Sequence, residues 1–329
     1  MKKYNVAVVG VGVVGIEILK ILKERNFPLE NLRVFARSSR KIEVGADSYN
    51  VEAIGDENFD NIDIALFAGT EGEKGASVLY AQKFIAKGAV VIDNGADFRL
   101  KNDVPLVVPE VNSADIKNHQ GIIANPNCST IQMVVALGPI HKAAGLKRIV
   151  VSSYQAVSGA GRSGITQLDS EIQGKDIKDA AFSHRIAGNV IPQIGDYADS
   201  DYTSEEWKMV DETHKILHDK DIKISATCVR VPVKTGHSEA IYLETNENIT
   251  VSKVKELLDE AAGIELSVPA EKNYPLAIDI EGKDAVYVGR IRKDPFVENG
   301  LWLWVVTDNL RKGAALNAVQ IAESLFNLK

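Results

Sequence analysis

Two cysteines and six histidines supply the soft nucleophiles and near-neutral proton carriers of this 329-residue chain. Cys128 stands in Asn125-Pro126-Asn127-Cys128-Ser129-Thr130-Ile131-Gln132, just ahead of an apolar helical stretch. Pro126 disfavours helix immediately before itself, and Ser129 and Thr130 are cap-type residues, so Cys128 is expected at a helix N-terminus. Free backbone N–H groups and the helix dipole favour thiolate there. The ordinary fate of a cysteine is to be a small buried apolar residue. Cys228, in Ala226-Thr227-Cys228-Val229, fits that role, and the polar, turn-bounded setting of Cys128 does not. A thiolate nucleophile is usually matched with a histidine that is its neighbour only in the fold. His237, in Thr235-Gly236-His237-Ser238, lies between two expected strands, seven residues after Arg230. That arrangement could set a cation and a base on the lip of one cleft. His214 and His218 share a helical face, but no third ligand or His-Glu-x-x-His pattern accompanies them, so surface histidines are the better reading and no metal is expected.

A second constellation opens the chain. Val6-Ala7-Val8-Val9 runs into Gly10-Val11-Gly12-Val13-Val14-Gly15 and then a helical pattern. Glycine-rich turns are common. A G-x-G-x-x-G that follows a strand and opens a helix is the setting in which backbone N–H groups reach a pyrophosphate at the positive helix end. Gly10, Gly12, Val13, Val14 and Gly15 are therefore read as cofactor-binding, for a dinucleotide. An NAD site usually places an acid at the end of the second strand. Here that strand runs out through Phe35-Ala36-Arg37-Ser38-Ser39-Arg40, two cations and two hydroxyls with no acid. This set suits a 2′-phosphate, so Ser38, Ser39 and Arg40 are assigned to the cofactor and NADP is expected.

These residues need a scaffold. The first third alternates continuous apolar runs with helical patterns: strands at Tyr4–Val9, Leu32–Ala36, Ile62–Ala68 and Ala89–Asp93, helices at Val13–Glu24 and Lys74–Lys87. Such alternation predicts a parallel sheet covered on both faces, a doubly wound α/β (Rossmann) domain. After about residue 126 the style changes. Strand-like runs at Arg148–Val157, Ile222–Val233, Glu239–Glu244, Ala285–Ile291 and Leu301–Thr307 have fewer helices between them. They predict an α+β domain with a mixed, largely antiparallel sheet. Residues 1–126 form the first domain and 127–308 the second. The terminal helix, expected over Asp308–Leu328, completes the first domain as 309–329.

Composition bounds the partners. Lys and Arg total 38 against 45 Asp and Glu, a net charge of −7, with no basic stripe for nucleic acid. The segment from Asn118 to His141 lacks formal charge but is too polar to span a membrane. Two cysteines cannot make a disulfide framework in this length, and glycines interrupt the apolar N-terminus, so a cytoplasmic protein is expected.

The residues also carry a family resemblance. The chain resembles bacterial aspartate-semialdehyde dehydrogenase along nearly its whole length. The resemblance rests on Pro126-Asn127-Cys128-Ser129-Thr130, Ser153-Tyr154-Gln155-Ala156-Val157-Ser158-Gly159-Ala160-Gly161, Glu212-Thr213-His214-Lys215, Cys228-Val229-Arg230-Val231-Pro232-Val233, Gly236-His237-Ser238-Glu239 and Val288-Gly289-Arg290-Ile291-Arg292. It implies an NADP-dependent, cytosolic homodimer that reduces L-aspartyl 4-phosphate to the semialdehyde through a cysteine thioester, in lysine, threonine and methionine biosynthesis. It implies Cys128 as acyl acceptor, His237 as its acid/base partner, taking the thiol proton and later protonating an oxyanion, and Gln155 as the glutamine that orients the intermediate. Arg230 is implied as the clamp on the α-carboxylate, Glu212 as the contact to the α-amino group, and Lys215, Arg99 and Asn127 as the phosphate set. Ser158, Gly159 and Asn317 match cofactor-contacting positions. The glycine loop departs from the family's G-A-T-G-x-V-G by one residue, and Gly95-Ala96-Asp97 stands where hydroxyl residues are usual. The segment from Glu171 to His184 is shorter than in many relatives. N-acetyl-γ-glutamyl-phosphate reductase shares the chemistry, but its cysteine is usually followed by Tyr-Pro-Thr, and here Ser129-Thr130 follow. A catalytically dead relative would lack the nucleophile or its partner, and both are present.

Overall fold

The computed structural model describes residues 2–55, 59–69, 72–198, 200–267 and 274–328. The chain divides into two compact units, Met1–Pro126 with Ala314–Lys329, and Asn127–Gly313. In the first, β1 (Tyr4–Val9), α1 (Val13–Glu24), β2 (Leu29–Ala36), β3 (Arg40–Val44), β4 (Asp47–Ala53), β5 (Ile64–Phe67), α2 (Ala76–Ile85), β6 (Val90–Asp93), α3 (Pro109–Asn112) and β7 (Ile122–Ala124) follow in order. The sheet runs β3-β4-β2-β1-β5-β6-β7, and every pairing in it is parallel except that of β3 with β4. The expected doubly wound sheet is thus present, because β1, β5 and β6 are nearly all apolar and buried on both faces.

Two differences from the sequence reading concern its edges. The β3–β4 hairpin was not anticipated: its strands are short and largely exposed, and its turn is set by Gly45 at φ +62°. Arg40, read as part of a loop, opens β3. The closing helix is also shorter than expected, Leu316–Leu325, since Asp308 turns the chain first by accepting from the Leu310 and Arg311 N–H groups, and a π turn over Arg311–Ala315 follows. Within the first unit this C-terminal helix shares the core of β1 and α1 through Leu316, Val319 and Ile321. Arg25 of α1 makes a bidentate pair with its Glu323 at 2.8 Å.

The second unit holds α4 (Cys128–Ala144), β8 (Leu146–Gln155), α5 (Gly161–Ile172), α6 (Ser204–Leu217), β9 (Lys223–Arg230), β10 (His237–Thr245), α7 (Val251–Asp259), β11 (Ile264–Leu266), α8 (Ala277–Ile280), β12 (Val286–Lys293) and β13 (Gly300–Thr307). Its sheet runs β11-β12-β13-β10-β8-β9. The three central pairings are antiparallel and the two outer ones parallel, the mixed sheet expected. Side chains alternate between faces along a strand. From Ile149 onward in β8, and throughout β10 and β13, the odd-numbered residues, among them Ile149, Val151, Ile241, Leu243, Leu301 and Leu303, are buried on the face where α4 packs.

Candidate active site

Three adjacent strands bring their ends together. Gln155 ends β8, Arg230 ends β9 directly opposite it, and His237 opens β10 on the other side of β8. All three are buried and belong to the helix-covered face. The peptide groups of Ala156 then tie two of them. The Ala156 N–H donates to His237 Nδ1 at 3.1 Å, and the Ala156 carbonyl accepts from Arg230 Nη1 at 2.7 Å. Gly159 lies against both: a Cβ there would fall 2.7 Å from Arg230 Nη1 and 3.3 Å from His237 Nε2. Only glycine leaves those side chains in place.

Cys128 enters from the helix side as the first residue of α4, with Asn127 at the N-cap position. The expected helix N-terminus is present, though Asn127, not Ser129 or Thr130, occupies the cap. The Asn127 side chain does not cap the helix. Its Oδ1 lies 3.7 Å from Cys128 Sγ, and its Nδ2 donates to Glu205 Oε1 at 2.9 Å. Its backbone N–H donates to Glu212 Oε2 at 2.7 Å. Gln155 Nε2 reaches the same Glu205 Oε1 at 2.9 Å and also Ser129 Oγ. The strand ends and the start of α4 are therefore one hydrogen-bonded cluster, with α6 supplying Glu205 and Glu212.

Electrostatics follow from burial. Burial, and after it the nearby Arg230 cation, bring the His237 pKa down to about 3 against the opposing pull of Glu205. The ring is neutral at pH 7. Because Nδ1 accepts from the backbone, the proton sits on Nε2. His237 therefore presents a donor. Taking a thiol proton at Nε2, half of its expected role, would put an N–H at Nδ1 against the Ala156 N–H, so this arrangement favours the donor half. Burial also pulls the Arg230 pKa down, with Glu205 and Cys128 pulling it back. Burial opposes ionisation of Glu205, but Lys208 at 3.4 Å, the Gln155 and Asn127 donors and Arg230 outweigh it and lower its pKa. Cys228 is fully buried beside Met209, and burial pushes its thiol up, the inert role read from its setting. Three buried polar atoms of the cluster lack a protein partner among the described residues: His237 Nε2, Arg230 Nε and Gln155 Oε1. Such atoms are costly unless something binds them.

The first unit holds the other residues of interest. Gly10, at φ +106°, has no room for a Cβ, which would fall 2.5 Å from the Ala68 carbonyl; one on Gly15 would fall 2.0 Å from the Gly10 carbonyl. These two glycines serve the turn. Gly12, the N-cap position of α1, is different: a Cβ there meets no protein atom within 4 Å. Its space lies open at a helix N-terminus whose Val13 and Val14 carry no acidic neighbour, which fits a pyrophosphate. Ser38, Ser39 and Arg40 are exposed at the end of β2, with Arg40 Nη1 donating to the Ser38 carbonyl at 3.1 Å. Arg99 is buried and donates to the Asn125 and Asn94 carbonyls. Asn317 is fully buried, its Nδ2 donating to the Val107 carbonyl and to Asn125 Oδ1. In the second unit, Ser158 bonds to Asn309, and Lys215 stands three residues after Glu212 on α6. His214 Nε2 is bonded to the Ile222 carbonyl, and no cluster of metal-ligating side chains occurs among the described residues.

The chain is similar to known proteins along nearly its whole length. Residues 5–119 match the family profile described as semialdehyde dehydrogenase, NAD binding domain, and residues 137–312 match that described as semialdehyde dehydrogenase, dimerisation domain. Aspartate-semialdehyde dehydrogenase of Aquifex aeolicus is 52% identical over 335 residues, with 98% of each chain covered. This chain belongs to the aspartate-semialdehyde dehydrogenase family. The Bacillus subtilis member is 47% identical over 343 residues, again with 98% of each covered. Among solved structures, Vibrio cholerae aspartate semialdehyde dehydrogenase II in complex with ASA superposes with a TM-score of 0.94 at 45% identity over 99% of both chains.

Sequence reasoning missed Glu205, Ala156 and Asn309. Glu205 looked like one acid in a helix that begins with a Thr203–Glu206 capping box. Ala156 has no functional side chain and acts through its backbone. Asn309 accepts from the Gly236 N–H at 2.9 Å and fixes the loop before His237. Neither Glu205 nor Asn309 lies in a motif that could have exposed it, and Ala156 lies in one without a side chain to mark its role.

Proposed function

We propose that this chain is an NADP-dependent aspartate-semialdehyde dehydrogenase that converts L-aspartyl 4-phosphate to L-aspartate 4-semialdehyde and phosphate through a thioester on Cys128. The observation that carries the reading is the joint placement of Cys128 at the α4 N-terminus and of His237, Arg230 and Gln155 at the ends of three neighbouring strands, with unpaired polar atoms on the last three. Arg230 binds the substrate carboxylate through its planar fork, and Lys215, Arg99 and Asn127 bind phosphate. Glu212 accepts from the α-ammonium of the substrate.

The helix N-terminus holds Cys128 as thiolate. Its sulfur adds to the acyl carbon, the C–S bond forms, and the bond to the phosphate oxygen breaks. His237 Nε2–H donates to the acyl oxygen as charge gathers on it; a neutral imidazole can do this. NADPH, bound by Gly10, Gly12, Val13, Val14 and Gly15, with Ser38, Ser39 and Arg40 at the 2′-phosphate and Ser158, Gly159 and Asn317 as further contacts, supplies the hydride. Hydride addition leaves an oxyanion held by the His237 Nε2–H; as its oxygen re-forms the carbonyl the C–S bond breaks, the aldehyde is released and Cys128 leaves again as thiolate. The same reading makes the protein a cytoplasmic homodimer of amino-acid biosynthesis.

The deciding measurement is phosphate-dependent NADP reduction with aspartate semialdehyde, run beside N-acetylglutamate semialdehyde and with NAD in place of NADP. Turnover with the first aldehyde and NADP is expected. No phosphate-dependent turnover with it would end the proposal.

A further inference from the structure

Glu205 is 6% exposed, ionised, and sits beneath the site with two amides on one oxygen. A carboxylate can only accept hydrogen bonds. An amide facing it at 2.9 Å must therefore present its NH₂ end, and its carbonyl oxygen must point elsewhere. For Asn127 that oxygen lies 3.7 Å from Cys128 Sγ. For Gln155 it is the buried atom left without a protein partner. The alternative orientation is available to both amides as far as shape is concerned, and for Asn127 it would turn NH₂ toward the sulfur. Only the acceptor-only character of Glu205 rejects it.

We propose that Glu205 is a positioning residue that fixes the orientation of the Asn127 and Gln155 amides, so that each turns its carbonyl oxygen, and not its NH₂, away from Glu205 and into the site. The inference rests on the reading of Cys128 as the nucleophile. It explains why a carboxylate is kept buried there, next to Arg230 and Lys208, when packing alone would accept an apolar side chain. The two amides are not equally held. Gln155 Nε2 has Ser129 Oγ as a second partner, whereas Asn127 Nδ2 bonds only to Glu205 among the described residues. Where an N–H donor takes the place of the carboxylate, Asn127 is the amide that turns, bringing an N–H donor to the sulfur and stabilising its thiolate.

Two substitutions separate orientation from charge and from packing. Glu205→Gln keeps the shape but has one oxygen for two unlike faces: Lys208, which meets Glu205 Oε2, takes that oxygen, so the NH₂ end faces both amides and the less firmly held one, Asn127, must turn. Glu205→Ala removes the same charge, and water in the vacated space can accept from both amides, leaving their orientation as it was. The readout is the pH dependence of Cys128 alkylation by iodoacetamide, with labelling located by peptide mass spectrometry. The midpoint for Glu205→Gln is expected at least about half a pH unit below that for Glu205→Ala, since a hydrogen bond to the charged form favours that form. Its kcat is expected to fall about 10²-fold, as misplaced groups can cost that much, to or below the kcat of Glu205→Ala, although its Tm stays nearer wild type. Equal midpoints in the two variants, or a kcat for Glu205→Gln within twofold of wild type, would overturn the assignment. Should Glu205→Ala fail to fold, Glu205→Gln combined with Asn127→Ala takes its place: it has the same charge and no Asn127 amide to turn, so its midpoint must lie above that of Glu205→Gln. Alkylation needs no substrate. A wild-type enzyme inert toward aspartate semialdehyde would therefore count against the proposed activity, and the midpoints would still decide this inference.

Discussion

A histidine held neutral by burial behaves differently from one poised at neutral pH. The folded pKa of His237, about 3, lies below its ordinary 6.5. Its charge state therefore contributes no limb to the kcat profile between those values, and Nε2 remains a donor across them. The stability consequence has the opposite sign to that of an ion-paired histidine. Between 6.5 and about 3 the unfolded chain takes up a proton that the native site refuses, so stability from this group is present above 6.5 and is lost as pH falls. His237→Ala is expected to lower kcat by roughly 10²–10⁴-fold, the usual range for a positioned acid or base. It should also remove this destabilisation, which a Tm series over the same pH range would show. A loss of only a few fold would take His237 out of the chemistry. Arg230→Lys tests the neighbouring group. The fork is lost while the charge stays, so kcat/KM for the aldehyde should drop more than tenfold, about the cost of one charge-assisted hydrogen bond. Unchanged kcat/KM would dismiss the clamp. At this scale the sequence was informative where a residue type is rare, as at Cys128, and silent where the chemistry runs through a backbone, as at Ala156.

Elements decide what those residues can reach. One turn along α4 from Cys128 is Gln132, and two residues along β10 from His237 is Glu239, facing it across the buried layer with Ser153 and Cys228 opposite on β8 and β9. Burial pushes Glu239 up to about 8, only partly offset by Gln132. The native state keeps a proton there that the unfolded chain releases near 4.5. Stability from Glu239 is therefore complete below 4.5 and is lost as pH rises toward about 8. Glu239→Gln keeps the shape without the titration. The Tm curves of the two proteins should meet at the acid end and separate above it, with the variant the more stable near pH 8. A pH-independent difference would show that Glu239 does not titrate in this window.

The glycine loop yields a second contrast between elements. Gly15→Ala drives a Cβ into the Gly10 carbonyl and should lower Tm by several degrees, as strain of about 1–3 kcal/mol does. Gly12→Ala meets no protein atom and should leave Tm in place while weakening NADP binding, read by fluorescence titration. If Gly12→Ala bound NADP as wild type does, the open space would not be the pyrophosphate site. The turn was legible because its glycines have a steric reason to be there. The β3–β4 hairpin was not, because both its strands face water and carry no apolar period, and Arg40 was consequently placed in a loop.

The whole molecule is acidic, and its second unit carries a partly exposed aromatic patch on one sheet face. The helix-covered face of its sheet takes the odd-numbered residues of β8, β10 and β13, and the opposite face takes the even ones. There Tyr154 lies tilted against Trp304 with ring centroids 5.7 Å apart, and Tyr242 against Trp302 at 5.2 Å. All four aromatics are partly exposed. A patch of this kind on a sheet face marks an interaction site, and burying aromatic rings in it is strongly favourable. The matching profile is named for dimerisation, and in a two-fold contact each residue contributes twice. The chain is therefore expected to sediment as a dimer paired through this face. Tyr242→Glu places two unpaired charges in that contact, at a cost that exceeds what a surface substitution normally carries. The variant should sediment as a monomer at micromolar concentration, with tryptophan emission shifted to the red as Trp302 and Trp304 become wet, while Trp207 on α6 supplies a constant background. A Tyr242→Glu protein that sediments as the wild type does would place the dimer contact elsewhere on this unit.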